Sequence, residues 1–322
     1  MNPIAFILGE PNSVSSELLF KTWLKRKALK IKPFLVIGSV QLLIKQAQYL
    51  NYKIKFNKIN SKFISSKLSK NKINIINVNF NQKKAFKNIT NKSNSLIFKS
   101  VKIAVDLIKK NKVTSIINGP IAKETLLKNK FNGMTEYLSL KTNSKGKEVM
   151  LIYNEKLSVS PITTHIPVRF ISKNINSKKI YNKIEVIINF YKKFFSKKIK
   201  IGVTGLNPHC YGKIKKNEEN TIIKPTINKL KRKYKNIKGP LSADSLFINE
   251  NIKKYDVIIG MYHDQVLGPM KTIFGQNAIN ITLGLPFFRV SPDHGVCSDI
   301  VGKNLANPSS LIKCFKFLKI VK

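Results

Sequence analysis

The chain has 322 residues, of which 43% are hydrophobic, so it can bury one large core or two modest ones. It contains no apolar run of about 18 residues, the length that a membrane-spanning helix requires, and we therefore predict no membrane span. Its three cysteines are odd in number and show no metal-type pairing, and no basic leader precedes the first apolar run. These features predict a reduced, cytoplasmic protein.

The formal net charge of +43 is the most unusual property of the composition and suggests a nucleic-acid partner. However, the cations are almost all Lys, scattered among Asn and Ile, a bias that is typical of AT-rich codon usage. No helix-turn-helix, zinc knuckle or aromatic-basic stripe accompanies them. We expect weak, salt-dependent, non-specific binding to nucleic acid but no specific nucleic-acid partner.

The first third of the chain alternates between strand and helix patterns. The predicted strands cover residues 4–9, 33–38, 73–80 and 115–117, and the predicted helices cover 16–30, 40–50 and 95–110. Such alternation predicts an α/β domain with a mainly parallel sheet. In open sheets of this kind, ligands bind beyond the C-terminal ends of the strands.

The middle third has a different pattern. Two strand runs, 148–153 and 157–163, are separated by three residues and predict a hairpin. A long helix (177–195), a buried strand (200–204) and a further helix (221–234) follow. This region predicts a second lobe, with the site in the cleft between the two lobes. A last amphipathic helix is predicted at 309–321.

Polar groups suited to a binding site are concentrated between residues 255 and 308. A buried-strand pattern, Val257–Met261, ends just before His263 and Asp264. Lys271, Asn280 and Arg289 follow, and the stretch closes in a loop that begins with Asp293-His294-Gly295. This concentration in one sixth of the chain predicts a functional site.

Three of the four histidines follow apolar strand patterns directly: His165, His209 and His263. Imidazole is a common ligand of zinc and similar divalent ions, and three protein ligands leave an open position for catalysis. The spacings of 44 and 54 residues match no short ligand motif. From the residues alone, a shared metal and three separate capping or core histidines remain equally open.

Other charged side chains could serve in the site or have a purely structural role. Asp264 and Asp244 could orient a ligand or accept a proton, although Asp244 could equally be a helix N-cap. Lys271 and Arg289 could bind a substrate phosphate or carboxylate. Lys271 could also be one more solvated lysine, whereas Arg289 is one of only four arginines.

Several motifs together resemble the 4-hydroxythreonine-4-phosphate dehydrogenase family. They are INGPIAKETL, GMTEYL, TTHIP, GLNPH with a later EE, GPLSAD, MYHDQ, NITLGLPFFRVSPDHG and DIVGKNLANP, in the family's order over nearly the whole chain. The resemblance implies the two-lobed α/β/α fold of the isocitrate and isopropylmalate dehydrogenases, with the active site in the interlobe cleft. It implies a discontinuous nucleotide-binding lobe (1–130 plus 275–322) and a lobe for substrate, metal and dimerisation (131–274).

The resemblance also implies a role for individual residues. The implied metal ligands, for Zn, Mg or Co, are His165, His209 and His263. The implied substrate contacts are Met134, Thr135, Lys271, Asn280 and Arg289, and the catalytic candidates are Asp264, Asp244 and Lys271. The implied NAD or NADP contacts are His294, Gly295, Asp299 and Gly302, in a loop that replaces the absent Rossmann fingerprint.

The activity implied by the resemblance is oxidation of 4-phosphooxy-L-threonine at C3. The product, 2-amino-3-oxo-4-phosphooxybutanoate, loses CO2 to give 3-amino-2-oxopropyl phosphate, in pyridoxal 5'-phosphate biosynthesis. A homodimer with the active site at the subunit interface is implied as well. The alternative is a paralogous metal-dependent dehydrogenase for threonate or erythronate 4-phosphate.

Two departures from the family pattern keep that alternative open. Met134 stands where the family has His, and a thioether cannot donate a hydrogen bond or carry a charge. The first loop, GEPNSVSSEL, lacks the family's glycine-rich pattern, which restricts its backbone. Reduced activity or a changed substrate could follow from either departure.

Overall fold

The computed structural model describes residues 2–127, 133–210 and 216–321. Apart from the last two residues, the chain forms two compact units, residues 1–131 with 286–320 and residues 132–285. The proposed assignment of nucleotide binding to one lobe and of substrate and metal binding to the other stays a prediction. No helix in the described ranges is long and apolar enough to cross a membrane.

Strands and helices alternate along much of the chain. The strands are β1 (Ile4–Ile7), β2 (Leu35–Gly38), β3 (Phe56–Ile59), β4 (Ile73–Asn77), β5 (Ser115–Asn118), β6 (Val149–Tyr153), β7 (Ser158–Pro161), β8 (Ile201–Thr204), β9 (Ile237–Leu241), β10 (Val257–Gly260), β11 (Ile279–Leu283) and β12 (Phe288–Pro292). The α-helices are α1 (Ser15–Lys25), α2 (Val40–Tyr49), α3 (Asn94–Lys109), α4 (Lys123–Leu127), α5 (Met134–Lys141), α6 (Ile171–Asn174), α7 (Ser177–Phe195), α8 (Lys224–Lys233), α9 (Ala243–Leu246), α10 (Asn249–Ile252), α11 (His263–Phe274) and α12 (Ser309–Ile320).

The first unit is built on a parallel sheet with the strand order β3-β4-β2-β1-β5-β12. The central strands β1, β2 and β5 are short apolar runs that are almost fully buried, as expected where helices cover both faces. Ser39 caps α2, since its hydroxyl accepts a hydrogen bond from the backbone N–H of Leu42 at 3.3 Å. The predicted helix 16–30 is shorter than expected, because α1 ends at Lys25.

The second unit has a mixed sheet with the order β11-β6-β7-β10-β8-β9. The predicted hairpin is confirmed as the antiparallel pair β6 and β7, and β7, β10, β8 and β9 run parallel. Because β11 is antiparallel to β6, it points in the same direction as β7. The C-terminal ends of β11, β7, β10 and β8 therefore share one edge of this sheet.

Helices fix that edge by packing on the sheet of the second unit. The long α7 has the bounds predicted from its periodicity and buries Ile180, Ile184 and Ile187 on one face. The helix α11 buries Val266, Leu267 and Met270 against the core that includes Val159 and Ile258. The predicted helix 221–234 begins instead as a π-helix, Glu219–Ile223, and continues as α8.

Candidate active site

Three histidines stand at the ends of three adjacent parallel strands in the second unit. His165 follows β7, His263 follows β10 and His209 follows β8, and β10 lies between the other two strands. Neighbouring strands lie about 4.8 Å apart. The strand order therefore brings to one edge three side chains that are far apart in the sequence.

His165 and His263 are close neighbours. Their ring centroids are 5.4 Å apart, with the planes tilted by 44°. The Nδ1 atom of His263 lies 2.7 Å from Oδ1 of Asp264, so the neighbouring carboxylate favours a proton on Nδ1. This arrangement leaves Nε2 of His263 as the nitrogen suited to bind a metal ion. The carboxylate of Asp264 itself is largely exposed.

His209 occupies a short 3-10 turn, Pro208–Cys210, and its side chain is 75% exposed. Its Nδ1 atom lies 3.4 Å from the Ser242 hydroxyl and 3.7 Å from a carboxylate oxygen of Asp244. The hydroxyl of Ser242 donates to the other oxygen of Asp244, and this bond, with the nearby His209, lowers the pKa of Asp244. Asp244 lies inside α9, whose N-cap is Ser242, so the alternative reading of Asp244 as an N-cap is wrong.

The residues fit a divalent metal by donor type and by strand order. Within the described ranges, however, no three His, Cys, Asp or Glu side chains lie close enough together to hold an ion. Two of the three predicted ligands, His165 and His263, are adjacent, and His209 follows the next strand. The shared metal site stays a prediction.

Two predicted substrate contacts lie on α5 and β11 of the same unit. The Thr135 hydroxyl in α5 lies 3.3 Å from the Thr282 hydroxyl in β11. In the same strand, Oδ1 of Asn280 is buried and has no hydrogen-bond partner among the described residues, so it can accept a bond from a ligand. Met134 is only 4% exposed and Lys271 is exposed on α11, and their roles in substrate binding stay predictions.

A cluster of half-buried charges borders the same edge and was not predicted from the sequence. The ammonium of Lys183, in α7, donates to the carbonyl of Pro161 at the end of β7 over 3.4 Å. Burial lowers the pKa of Lys183 to about 8, Lys179 adds to this effect, and Glu148 and Glu136 oppose it. One carboxylate oxygen of each glutamate is buried without a hydrogen-bond partner in the part of the chain that is described.

The remaining predicted site residues belong to the first unit. Arg289 in β12 is 4% exposed, and its Nε donates to Oδ1 of Asn118 at 2.5 Å. This contact links the NGP motif, which begins with the last residue of β5, to β12. The role of Arg289 as a phosphate or carboxylate clamp stays a prediction.

The loop after β12 is anchored to the residues that follow it. The Nε2 atom of His294 lies 2.8 Å from the carbonyl of Asn307, and the backbone N–H of Asp293 donates to the Ser310 hydroxyl at 2.9 Å. Gly295 and Asp299 are exposed. Gly302 has φ of +76°, a conformation that favours glycine. An anchored loop with an exposed carboxylate is suited to bind a nucleotide, because the carboxylate can accept hydrogen bonds from the ribose hydroxyls.

The family assignment rests on most of the chain. The model of the family described as pyridoxal phosphate biosynthetic protein PdxA matches residues 30–318. The chain belongs to this family. The resemblance stated from the motifs is thereby confirmed.

Relatives over the full length carry the names of dehydrogenases, which are oxidoreductases. A 4-hydroxythreonine-4-phosphate dehydrogenase of Sulfurihydrogenibium is 34% identical, with 100% of this chain and 99% of the relative covered. A relative from Oceanobacillus iheyensis with the provisional name D-threonate 4-phosphate dehydrogenase is 30% identical, with 96% and 95% covered. The first name agrees with the leading expectation and the second with the alternative.

Solved structures bear out the fold. The crystal structure of 4-hydroxythreonine-4-phosphate dehydrogenase from Klebsiella pneumoniae is similar with a TM-score of 0.83 at 28% identity, and both chains are covered completely. A β-decarboxylating dehydrogenase from Thermococcus kodakarensis is similar with a TM-score of 0.54 at 12% identity, over 99% of this chain and 82% of that one. The predicted isocitrate dehydrogenase-like fold class is confirmed.

Proposed function

We propose that the protein is an NAD- or NADP-dependent 4-hydroxythreonine-4-phosphate dehydrogenase of pyridoxal 5'-phosphate biosynthesis. A hydride passes from C3 of 4-phosphooxy-L-threonine to the nicotinamide, and the hydroxyl proton leaves to a base. The resulting β-keto acid loses CO2 to give 3-amino-2-oxopropyl phosphate. The observation that carries this proposal is the placement of His165, His263 and His209 at three adjacent strand ends in a member of this family.

His165, His209 and His263 would hold one divalent ion, Zn, Co or Mg. When bound there, the ion would polarise the substrate hydroxyl and lower its pKa. The chain's own contribution is to orient the imidazoles. Asp264 fixes the ring of His263, and Ser242 with Asp244 borders the ring of His209.

The other side chains bind substrate and move the proton. The hydroxyl of Thr135 and the amide oxygen of Asn280, which has no hydrogen-bond partner among the described residues, can bind hydroxyl and ammonium groups of the substrate. The cationic side chains of Lys271 and Arg289 can bind its phosphate or carboxylate. A general base works best with a pKa near the working pH. The lowered pKa of Asp244 therefore favours an orienting role for Asp244 over proton acceptance.

We assign the cofactor to the loop after β12. The residues that would contact the nucleotide are His294, Gly295, Asp299 and Gly302. The carboxylate of Asp299 would accept hydrogen bonds from the ribose hydroxyls. The support is the anchoring of this loop through His294 and Asp293, which leaves Gly295 and Asp299 accessible.

The second candidate is a dehydrogenase for D-threonate or erythronate 4-phosphate. Met134 in place of the family's His and the name of the Oceanobacillus relative keep it open, whereas the Sulfurihydrogenibium relative and the Klebsiella structure carry the name of the leading candidate. A panel of the three phosphorylated acids at matched concentrations discriminates between the two. A higher kcat/KM for an acid without an amino group would replace the leading assignment.

We also propose a cytoplasmic homodimer with the active site at the subunit interface. Its three cysteines, Cys210, Cys297 and Cys314, are free, as a reducing compartment would keep them. The segment after His165 exposes Val168 and Phe170, apolar side chains that a partner subunit would cover.

The decisive experiment measures NADH formation from 4-phosphooxy-L-threonine by protein stripped with EDTA and then supplied with Zn2+, Co2+ or Mg2+. We expect no turnover after stripping, recovery with at least one ion, and a loss of more than about 100-fold in His263→Ala. Lys253→Ala, an exposed substitution in the same unit, is the control and should keep wild-type activity. Absence of turnover with every ion would refute the proposed function.

A further inference from the structure

A buried carboxylate holds the loop that carries His209. Glu219, only 2% exposed, accepts the backbone N–H groups of Leu206 at 2.8 Å and of Asn207 at 2.7 Å, and its second oxygen accepts the Asn207 side-chain amide at 2.8 Å. Burial acts to raise the pKa of Glu219, but the hydrogen bonds from Asn207 and Leu206 outweigh it. The pKa lies below its usual value, so the carboxylate stays charged and remains a strong acceptor.

A single amide holds the same loop from the side of β10. The Oε1 atom of Gln265 accepts from the Thr204 hydroxyl at 2.8 Å and from the backbone N–H of Met261 at 2.7 Å. Its Nε2 atom donates to the carbonyl of Gly205 at 2.8 Å. Gln265 lies two residues after His263, so it ties the end of β8 to the turn that bears His263.

Gly205 allows the Glu219 carboxylate and the Cys210 side chain to approach the backbone of this loop closely. A Cβ atom at this position would lie 3.0 Å from the Glu219 carboxylate and 2.7 Å from Sγ of Cys210. The loop is therefore seated directly against the carboxylate. Neither Glu219 nor Gln265 has a role in the proposed chemistry, although both lie in motifs that carry the family resemblance.

We propose that Glu219 and Gln265 form a positioning frame that presets the His209 loop against the turn bearing His263, so that both imidazoles meet one divalent ion. The frame rests on the proposed function, because it takes these two histidines as ligands. Both are positioning residues that act through His209 and His263. Partners that orient metal ligands change metal affinity by about 10- to 100-fold when they are removed.

The test is Zn2+ binding to metal-free protein, measured by isothermal titration calorimetry without substrate or cofactor. In Glu219→Gln, an NH2 group replaces one carboxylate oxygen that accepts a hydrogen bond. That NH2 group would face an N–H group of Leu206 or Asn207, which is also a donor. In Gln265→Met, a side chain of similar length makes none of the three bonds. We expect the Kd for Zn2+ to rise about 10- to 100-fold in each variant, with faster hydrogen exchange at the amides of Leu206 and Asn207.

Glu250→Gln and Gln276→Met make the same chemical changes at exposed positions and should leave the Kd unchanged. If Glu219→Gln does not fold, Gln265→Met carries the test. A Kd within twofold of wild type in the folded variants would overturn the frame alone. Wild-type protein that binds neither Zn2+ nor, in the same titration, Co2+ or Mg2+ would overturn the metal assignment and the frame together.

Discussion

At the scale of single residues, Lys183 is a lysine whose charged form is disfavoured by burial. Its ammonium lies under the end of β7 with one long hydrogen bond to Pro161, and burial lowers its pKa from 10.5 to about 8. The unfolded chain therefore holds one more proton than the folded chain between these two pH values. The contribution of Lys183 to the free energy of unfolding therefore rises with pH across this window.

Lys183→Met should remove that dependence. Below about pH 8 the full cost of the buried charge is present, so the variant gains on the order of 3 kcal/mol over wild type at pH 7, less any loss of attraction to Glu136 and Glu148. The gain should shrink as the pH rises toward 10.5. Urea unfolding at about pH 7 and about pH 10 measures both differences.

Lys178→Met, on the exposed side of the same helix, is the control for Lys183→Met. It should show a difference from wild type that does not change over this pH range. A constant difference for Lys183→Met as well would mean that Lys183 keeps an ordinary pKa in the folded protein.

At the scale of secondary-structure elements, α1 holds the segment that follows the predicted nucleotide loop. The Glu17 carboxylate, 1% exposed, accepts from Lys21 at 2.7 Å and from the backbone N–H of Ala306 at 2.6 Å. Lys21 also donates to the carbonyls of Asn304 and Ala306. The ion pair on α1 therefore holds residues 304 and 306 of a segment that forms no helix or strand.

Lys21→Met should loosen this segment. A buried carboxylate loses its cation and two carbonyls lose a donor, so we expect a loss of about 1–3 kcal/mol in the free energy of unfolding. If the loop binds the nucleotide, the KM for NAD should rise more than kcat falls. Steady-state kinetics at varied NAD concentration, with thermal unfolding, measures both effects.

Lys25→Met, one turn further along α1 and exposed, serves as the comparison and should stay within about 0.5 kcal/mol of wild type. An unchanged KM for NAD in Lys21→Met, together with reduced stability, would separate the structural role of the ion pair from any role in cofactor binding.

Periodicity predicted the regular elements well where a strong local pattern existed. The helix α7 has an apolar stripe along one face, and the β6–β7 hairpin is formed by two short, mainly apolar runs separated by three residues, so both matched their predicted positions. No helix was predicted at 263–274, where Gly268 and Pro269 are unfavourable residues for a helix interior, yet α11 continues through Pro269. Packing of Val266, Leu267 and Met270 outweighs the local preference.

The site could be predicted only in part for a similar reason. Histidines at strand ends are visible in the sequence, but the order β7-β10-β8 is not the chain order, so their adjacency depends on long-range pairing. Glu219 and Lys183 were missed because each looks like an ordinary surface charge. Only their burial and hydrogen bonds set them apart, and no local pattern encodes these properties.

At the scale of the whole molecule, charge and exposed apolar surface act in opposite directions. A net charge of +43 makes two copies of the chain repel each other, an effect that salt screens. Val168 is 78% exposed and Phe170 is 41% exposed, and both directly follow the segment of His165. Covering these side chains would favour association of two subunits.

Val168→Asp should weaken the proposed dimer. We expect wild-type protein to have the mass of a dimer in light scattering after size-exclusion chromatography, with more dimer as salt is raised because repulsion is screened. The variant should shift toward the monomer, because a buried carboxylate without a partner is costly. Ile320→Asp, also at an exposed apolar position, should remain dimeric. A monomeric wild type at every salt concentration would rule out the homodimer.

His165 and His209 share a backbone property that decides how their roles should be studied. Both have positive φ, 48° and 55°, the left-handed region that most side chains avoid and that asparagine tolerates. Alanine at either position would remove the imidazole and would also disfavour the positive φ angle that the loop requires there. Asparagine deletes the ring while keeping the turn, and it is therefore the replacement that isolates the contribution of the imidazole.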